Sequence, residues 1–132
     1  MAALDRPVVR PRPVYLNLLA IRMPLPAVVS ILHRASGALL FLAGIPFLLW
    51  AVQRALVSAA AWAQIQGMAS HPLGKLFLLV MAWAYLHHFL AGVRHLLMDL
   101  HLGVTLQAGR RSAAMALVVS LLLTLGVAIR LW

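Results

Sequence analysis

LGKLFLLVMAWAYLHHFLAGVRHLLM, the stretch from Leu73 to Met98, decides the fold because it is long and almost wholly apolar. An α-helix needs about 20 such residues to cross the hydrocarbon core of a bilayer. Two further apolar runs of similar length lie at about 27–52 and 112–131. The sequence therefore predicts an all-α membrane protein with three transmembrane helices, at about 27–52, 73–98 and 112–131.

The composition supports a membrane location. Of 132 residues, 64% are hydrophobic and 10% are charged, which is too apolar for a soluble domain. The formal charge is +9, and the arginines lie mainly outside the apolar runs, as expected of membrane flanks. No polar domain exists to bind nucleic acid, so that function is excluded. The chain has no cysteine, so a redox centre held here would need histidine ligands.

The chain outside the apolar runs is short. Residues 1–26 are rich in Pro and Arg and predict an extended N-terminal arm rather than a signal peptide. Residues 27–132 form the predicted membrane anchor domain, with connections at about 53–72 and 99–111. The excess of Arg in the arm and in the second connection places both in the cytoplasm and the C-terminus in the periplasm. Pro46 predicts a local kink in the first helix.

Polar residues inside the second predicted helix follow a helical spacing. Residues three or four apart share a helix face, so two histidines and a carboxylate line up with small residues between them. Neutral imidazole binds haem iron, and small residues let a flat group or a neighbouring helix approach closely. The stripe predicts a cofactor site, the alternative being a plain helix–helix interface. Its members are Ala84, His88, Gly92, His95 and Asp99.

A second polar cluster, formed by Ser30, His33 and Arg34, lies near the start of the first helix. Its hydroxyl, imidazole and guanidinium donors suit a quinone carbonyl or a haem propionate. The alternative is an Arg34 side chain that snorkels to the interface, with Ser30 as a helix cap. His87 is rotated about 100° from His88 and is expected to be packed or hydrogen-bonded rather than a ligand.

Two motifs resemble one known family. An Arg-Pro pair at Arg12 precedes the sequence SILHRASG at 30–37, and His88 is followed by GVRHLLMD at 92–99. Both stretches resemble the signatures of the cytochrome b anchor subunit of succinate dehydrogenase (succinate:quinone oxidoreductase, respiratory complex II). The resemblance covers nearly the whole chain. One departure is His101, where the family usually has a small residue.

The resemblance implies a set of roles. His88 would be an axial ligand of the iron of a b-type haem, His33, Arg34 and His95 would lie near the haem propionates, and Ser30 and Arg34 would bind ubiquinone. The implied partners are a second small membrane anchor, an iron–sulfur subunit and a flavoprotein subunit, in the bacterial cytoplasmic (inner) membrane. His33 is expected to lie too near the surface to match His88 in depth, so the second axial ligand is expected from the partner anchor.

Three other functions remain open from the sequence. The chain could anchor a fumarate reductase or another quinone-linked dehydrogenase, which would run the same chemistry in reverse. It could be a transport subunit with a proton path along His88, His95 and Asp99. It could also be an anchor that binds no haem and only docks the dehydrogenase.

Overall fold

The computed structural model describes residues 20–132, and this part of the chain is entirely helical apart from short connections. Three helical stretches are long and apolar enough to cross a membrane: Leu25–Val57, Pro72–Asp99 and Leu106–Leu131. The prediction of an all-α membrane protein with three spanning helices is confirmed. Most of the predicted N-terminal arm lies outside the described residues. The elements are α1 (Leu25–Leu39), a π-helical segment (Leu40–Gly44), α2 (Ile45–Val57), α3 (Ala59–Ser70), α4 (Pro72–Asp99) and α5 (Leu106–Leu131).

The first span contains a π-helical segment immediately before Pro46. Proline lacks a backbone N–H, and its ring clashes with the carbonyl four residues earlier, so a regular α-helix cannot pass through it unchanged. Here the N–H of Ile45 donates to the carbonyl of Leu40, five residues back, which is the π-helical pattern. The irregularity expected at Pro46 therefore takes the form of a wider helical turn.

The helices extend beyond the apolar runs from which they were predicted. The first connection holds the separate helix α3, whose N-cap Ser58 accepts a hydrogen bond from the N–H of Ala61 at 3.1 Å. The third helix starts at Leu106 rather than at residue 112, because Thr105 caps it by accepting from the N–H of Ala108 at 3.3 Å. Hydropathy marks only the part of a helix inside the hydrocarbon, whereas capping residues mark where the helix begins.

The end of α4 explains the departure at His101. The N–H of His101 donates to the carbonyl of Met98 and the N–H of Leu102 to that of Leu97, both at 2.9 Å. This pair of bonds is a Schellman motif, which puts His101 in the left-handed region with φ of 62°. The family that the sequence resembles usually has a small residue at this position. That preference suits the left-handed conformation, in which a Cβ is disfavoured.

The interior of the bundle is built from small residues. Val29 on α1, Ala91 on α4 and Ala113 on α5 are fully buried and meet at the centre, with Leu117 packed against them. Large apolar side chains instead cover the outside of all three spans. Small residues inside let the backbones approach closely, and large residues outside suit a lipid environment.

Candidate functional site

The ring of His88 is oriented by the backbone of the neighbouring helix. Its Nδ1 lies 3.0 Å from the carbonyl oxygen of His33 on α1 and 3.5 Å from the hydroxyl of Ser36. Because a carbonyl only accepts, Nδ1 carries the proton and donates it. The Nε2 atom is then left unprotonated, and within residues 20–132 it has no hydrogen-bond partner. This is the tautomer that a metal-binding histidine adopts when a carbonyl fixes its other nitrogen.

Gly37 makes room for that ring. A Cβ built on Gly37 would lie 2.7 Å from Cε1 of His88 and 3.1 Å from its Nδ1. Both distances are shorter than ordinary van der Waals contact, so the ring rests directly on the backbone of α1. Gly92 on α4 also lies near the cluster, but a Cβ there would lie 3.4 Å from Nε2 of His33, which is ordinary van der Waals contact. Gly37 is therefore the glycine that allows the His88 ring to lie against α1.

Three histidines meet between these two helices. The ring of His33 stacks on that of His88, with centroids 4.2 Å apart and planes 7° from parallel. The ring of His95 lies with its centroid 5.1 Å from that of His33 and is tilted by 55°. All three are half-buried. The polar stripe of the second span therefore faces the polar cluster of the first.

The sequence predicted that His33 would lie too near the surface to match His88 in depth. That prediction is wrong, because the two rings stack on each other. His33 lies eight residues into α1, about 12 Å along its axis, and α4 runs in the opposite direction. The two rings nevertheless would not hold one metal ion between them, because they stack directly on each other with no space between their faces.

Ser30 and Arg34 lie one turn apart on α1, on either side of His33 in the sequence. The Nε of Arg34 donates to the backbone carbonyl of Ser30 at 3.4 Å, and the Arg34 side chain is exposed. The terminal guanidinium nitrogens of Arg34 have no partner within the described part of the chain. Ser30 is not a helix cap as one alternative supposed, because the N-cap of α1 is Pro24.

The opposite side of α4 holds two polar residues that bind α5. Arg94 is 6% exposed, and its Nε donates to the hydroxyl of Ser112 at 3.0 Å, while its Nη2 donates to the carbonyl of Gly109 at 3.4 Å. His87 is fully buried, with its Nδ1 3.4 Å from the hydroxyl of Ser120. His87 is thus hydrogen-bonded, in line with its expected packing role.

The motifs in the sequence assigned no role to Arg94, although the pattern of small residues on α5 indicated a close helix–helix contact. Small residues recur on α5 at a spacing of three or four, which marks a face that another helix approaches closely. Arg94 lies on the face of α4 that meets this row. The row consists of Gly109, Ser112, Ala113, Ala116 and Ser120.

The fold and the site together define a multi-pass helical membrane protein with a cluster of histidines between two of its spanning helices. The sequence profile of the succinate dehydrogenase/fumarate reductase transmembrane subunit family matches residues 9–127. The chain belongs to that family. It is accordingly a membrane subunit of this class of oxidoreductase, a multi-pass protein of the bacterial cytoplasmic membrane, and its assignment as a cytochrome b-type anchor is confirmed.

Two relatives are similar over most of their length. The succinate dehydrogenase cytochrome b556 subunit of Coxiella burnetii (strain RSA 493 / Nine Mile phase I) is 36% identical over 122 residues, which cover 92% of this chain and 97% of the relative. The subunit of the same name from Paracoccus denitrificans is 34% identical over 102 residues, covering 77% of this chain and 78% of the relative.

Proposed function

We propose that this chain holds a b-type haem jointly with a second small anchor subunit and passes electrons from succinate to ubiquinone. The observation that carries the proposal is the His88 ring, whose protonated Nδ1 is fixed by the carbonyl of His33 so that Nε2 is free. Both relatives are named as cytochrome b556 subunits of succinate dehydrogenase, which supports haem binding and favours succinate oxidation over fumarate reduction.

The residues around His88 fit a haem. His88 would supply one axial ligand through Nε2, and the cations or donors of His33, Arg34 and His95 would bind the propionates. A b-type haem, when bound, supplies one-electron transfer chemistry. The contact with Gly37 and the stacked His33 both hold the His88 ring in place, which fixes the direction in which Nε2 points.

The second axial ligand would come from the partner anchor. His33 stacks face to face with His88, so its ring is not placed to bind the opposite side of the same iron. His87 is turned away from His88 toward α5, where its Nδ1 lies 3.4 Å from the hydroxyl of Ser120. The second residue that holds the haem would therefore come from another chain.

Ser30 and Arg34 would bind the quinone. A quinone carbonyl accepts hydrogen bonds, and the exposed guanidinium of Arg34 has donors that the described residues leave unused. Both residues lie within one turn of His33, close to the proposed haem. Electrons would reach this region from the iron–sulfur subunit, which receives them from the flavoprotein, and the N-terminal arm would lie on the same cytoplasmic side.

Replacing His88 tests the haem assignment. In His88→Leu we expect the reduced-minus-oxidised visible spectrum of the purified assembly to lose or shift its b-type signal, because Leu has no ligand atom. His71→Asn is the matched control, since His71 is exposed in a connection and Asn keeps a capping side chain. An unchanged haem content and spectrum in His88→Leu would falsify the ligand assignment.

A second experiment tests the quinone residues. Ser30→Ala and Arg34→Ala should lower quinone reduction more than succinate oxidation by an artificial dye, because the dye takes electrons before the membrane site. Arg130→Ala, at the opposite end of the bundle, should leave both rates unchanged. Equal loss of the two activities in the Ser30 and Arg34 variants would contradict a direct role at the quinone.

A further inference from the structure

A groove runs between α4 and α5 at the end of the bundle where α4 finishes and α5 begins. Its volume is about 340 Å³, and it lies on the side of α4 away from the cluster of His33, His88 and His95. Apolar side chains from both helices and from the connection between them form its walls, and several of them are exposed on the outside of the bundle. They include Val93, Leu97, Leu102, Met115 and Val119. The polar lining residues are Arg94 and Ser112.

Arg94 brings a nearly buried positive charge to this groove. Its Nε and Nη2 bind neutral acceptors on α5, and within residues 20–132 its Nη1 has no partner. Nor does any carboxylate in that part of the chain pair with it. Asp99, the acidic residue nearest along the chain, is exposed in the last turn of α4. A buried cation without a counter-ion is costly, so an anionic group in the groove would be strongly favoured.

The depth of Arg94 matches the level of lipid headgroups. The 28 residues of α4 span about 42 Å, which exceeds a hydrocarbon core of about 30 Å by about 6 Å at each end. Arg94 lies five residues before the end of α4, about 7.5 Å along the axis. It is therefore near the boundary between acyl chains and headgroups. Arg110 and Arg111, exposed in the first turns of α5, add positive charge at the same end.

We propose that this groove is a binding site for an anionic phospholipid. The phosphate would bind Nη1 of Arg94 and the acyl chain would lie against Leu97, Met115 and Val119. A charged headgroup joined to a long apolar chain matches a groove with one cation near the boundary and apolar walls extending into the membrane. The site is separate from the proposed haem and quinone residues, because His88 and His95 face α1 while Arg94 faces α5. It does not depend on whether the chain binds haem.

Lipid retention by the native assembly tests the site. The assembly is purified in detergent, given equal amounts of phosphatidylglycerol and phosphatidylcholine, separated from free lipid, and analysed by mass spectrometry. We expect about one phosphatidylglycerol per chain, in preference to phosphatidylcholine. Arg94→Gln should reduce retained phosphatidylglycerol about tenfold, because the cation is lost while an amide donor remains for Ser112.

Two further variants test whether lipid binds in this groove, rather than being lost through instability or held by general attraction to positive charge. Val119→Trp would fill the groove while leaving Arg94 in place, and it should also release the lipid. Arg130→Gln removes an exposed charge at the opposite end and should retain the lipid. Equal phosphatidylglycerol in the parent, Arg94→Gln and Val119→Trp assemblies would overturn the proposal, as would a protein segment occupying the groove and excluding lipid. An equal loss of phosphatidylglycerol in Arg130→Gln would also overturn the proposal, because general attraction between lipid and exposed positive charge would then explain the binding.

Discussion

At the scale of single residues, His88 is held by contacts that act on different parts of its ring. The carbonyl of His33 binds the Nδ1 proton, the ring of His33 covers one face, and Gly37 lies against the Cε1 edge. None of these contacts requires a second chain. The orientation of Nε2 is therefore a property of the packing between α1 and α4.

Gly37→Ala should weaken haem binding without removing any ligand atom. The new Cβ would lie 2.7 Å from Cε1 of His88, and the ring cannot move freely because its Nδ1 is bound to a backbone carbonyl. A displacement that costs about 1.4 kcal/mol lowers haem affinity about tenfold. Haem titration of the purified assembly, followed by its visible spectrum, measures this effect.

Gly126→Ala is the control for that substitution. Gly126 also lies in a spanning helix, but a Cβ there would have no neighbour within 4 Å. It should leave haem affinity unchanged. An equal loss in both variants would mean that replacing helical glycines weakens the bundle in general, and the steric argument at Gly37 would fail.

His101→Gly should stabilise the protein by about 1 kcal/mol. His101 adopts φ of 62°, a conformation in which a Cβ is disfavoured, and Gly adopts it freely. Thermal unfolding of the assembly in detergent should shift upward. His101→Ala keeps a Cβ and should give no such gain, so an increase in both variants would point to loss of the imidazole rather than relief of the backbone.

At the scale of elements, α4 carries two polar faces with different neighbours. His88, Gly92 and His95 face α1 and form the histidine cluster, whereas His87 and Arg94 face α5 and bind its hydroxyls. Hydrogen bonds across helices fix rotation about the helix axis, which apolar contacts alone specify weakly. The contacts to α5 thus help to keep the histidines turned toward α1.

Ser112→Ala should loosen the contact between α4 and α5. The substitution leaves the Nε of Arg94 without its 3.0 Å acceptor in a nearly buried position, which costs about 2 kcal/mol. Thermal unfolding of the assembly should shift downward. Ser70→Ala, whose hydroxyl is exposed and bonds only to the carbonyl of Gln66 in its own helix, should change stability little. Similar losses in the two variants would argue against the interhelical bond.

At the scale of the whole molecule, positive charge is distributed unevenly between the two ends of the bundle. Arg110 and Arg111 lie at the end where α5 begins, and Arg22 precedes the first span at that same end, with three more arginines before it in the sequence. The other end has Arg54 and Lys75 before α5 returns to it with Arg130. Because positively charged flanks tend to remain in the cytoplasm, this distribution predicts that the end with Arg110 and Arg111 faces the cytoplasm.

Single cysteines should report this orientation, since the chain has none of its own. We expect Gln66→Cys, exposed on α3, to react with a membrane-impermeant maleimide in intact spheroplasts. Gln107→Cys, exposed at the start of α5, should react only after the membrane is permeabilised. The reverse pattern would show that the charge distribution does not set the orientation.

Several properties followed from the sequence because they depend on local patterns. Apolar run length predicted three spans, and the spacing of His88, Gly92 and His95 put those residues on one face. The capping residues Ser58 and Thr105 could have predicted α3 and the early start of α5, since capping is also local. Hydropathy alone missed both.

The sequence by itself determined that this protein spans a membrane with three helices and carries His88 and His95 on one face of the second span, because hydrophobic length and helical periodicity are properties of neighbouring residues. Only the tertiary structure decided that His33 stacks on His88, that Gly37 supports the ring, and that Arg94 binds α5. Those contacts depend on the relative translation and rotation of separate helices. Both are set by the close packing of small residues across the bundle, which no single segment encodes.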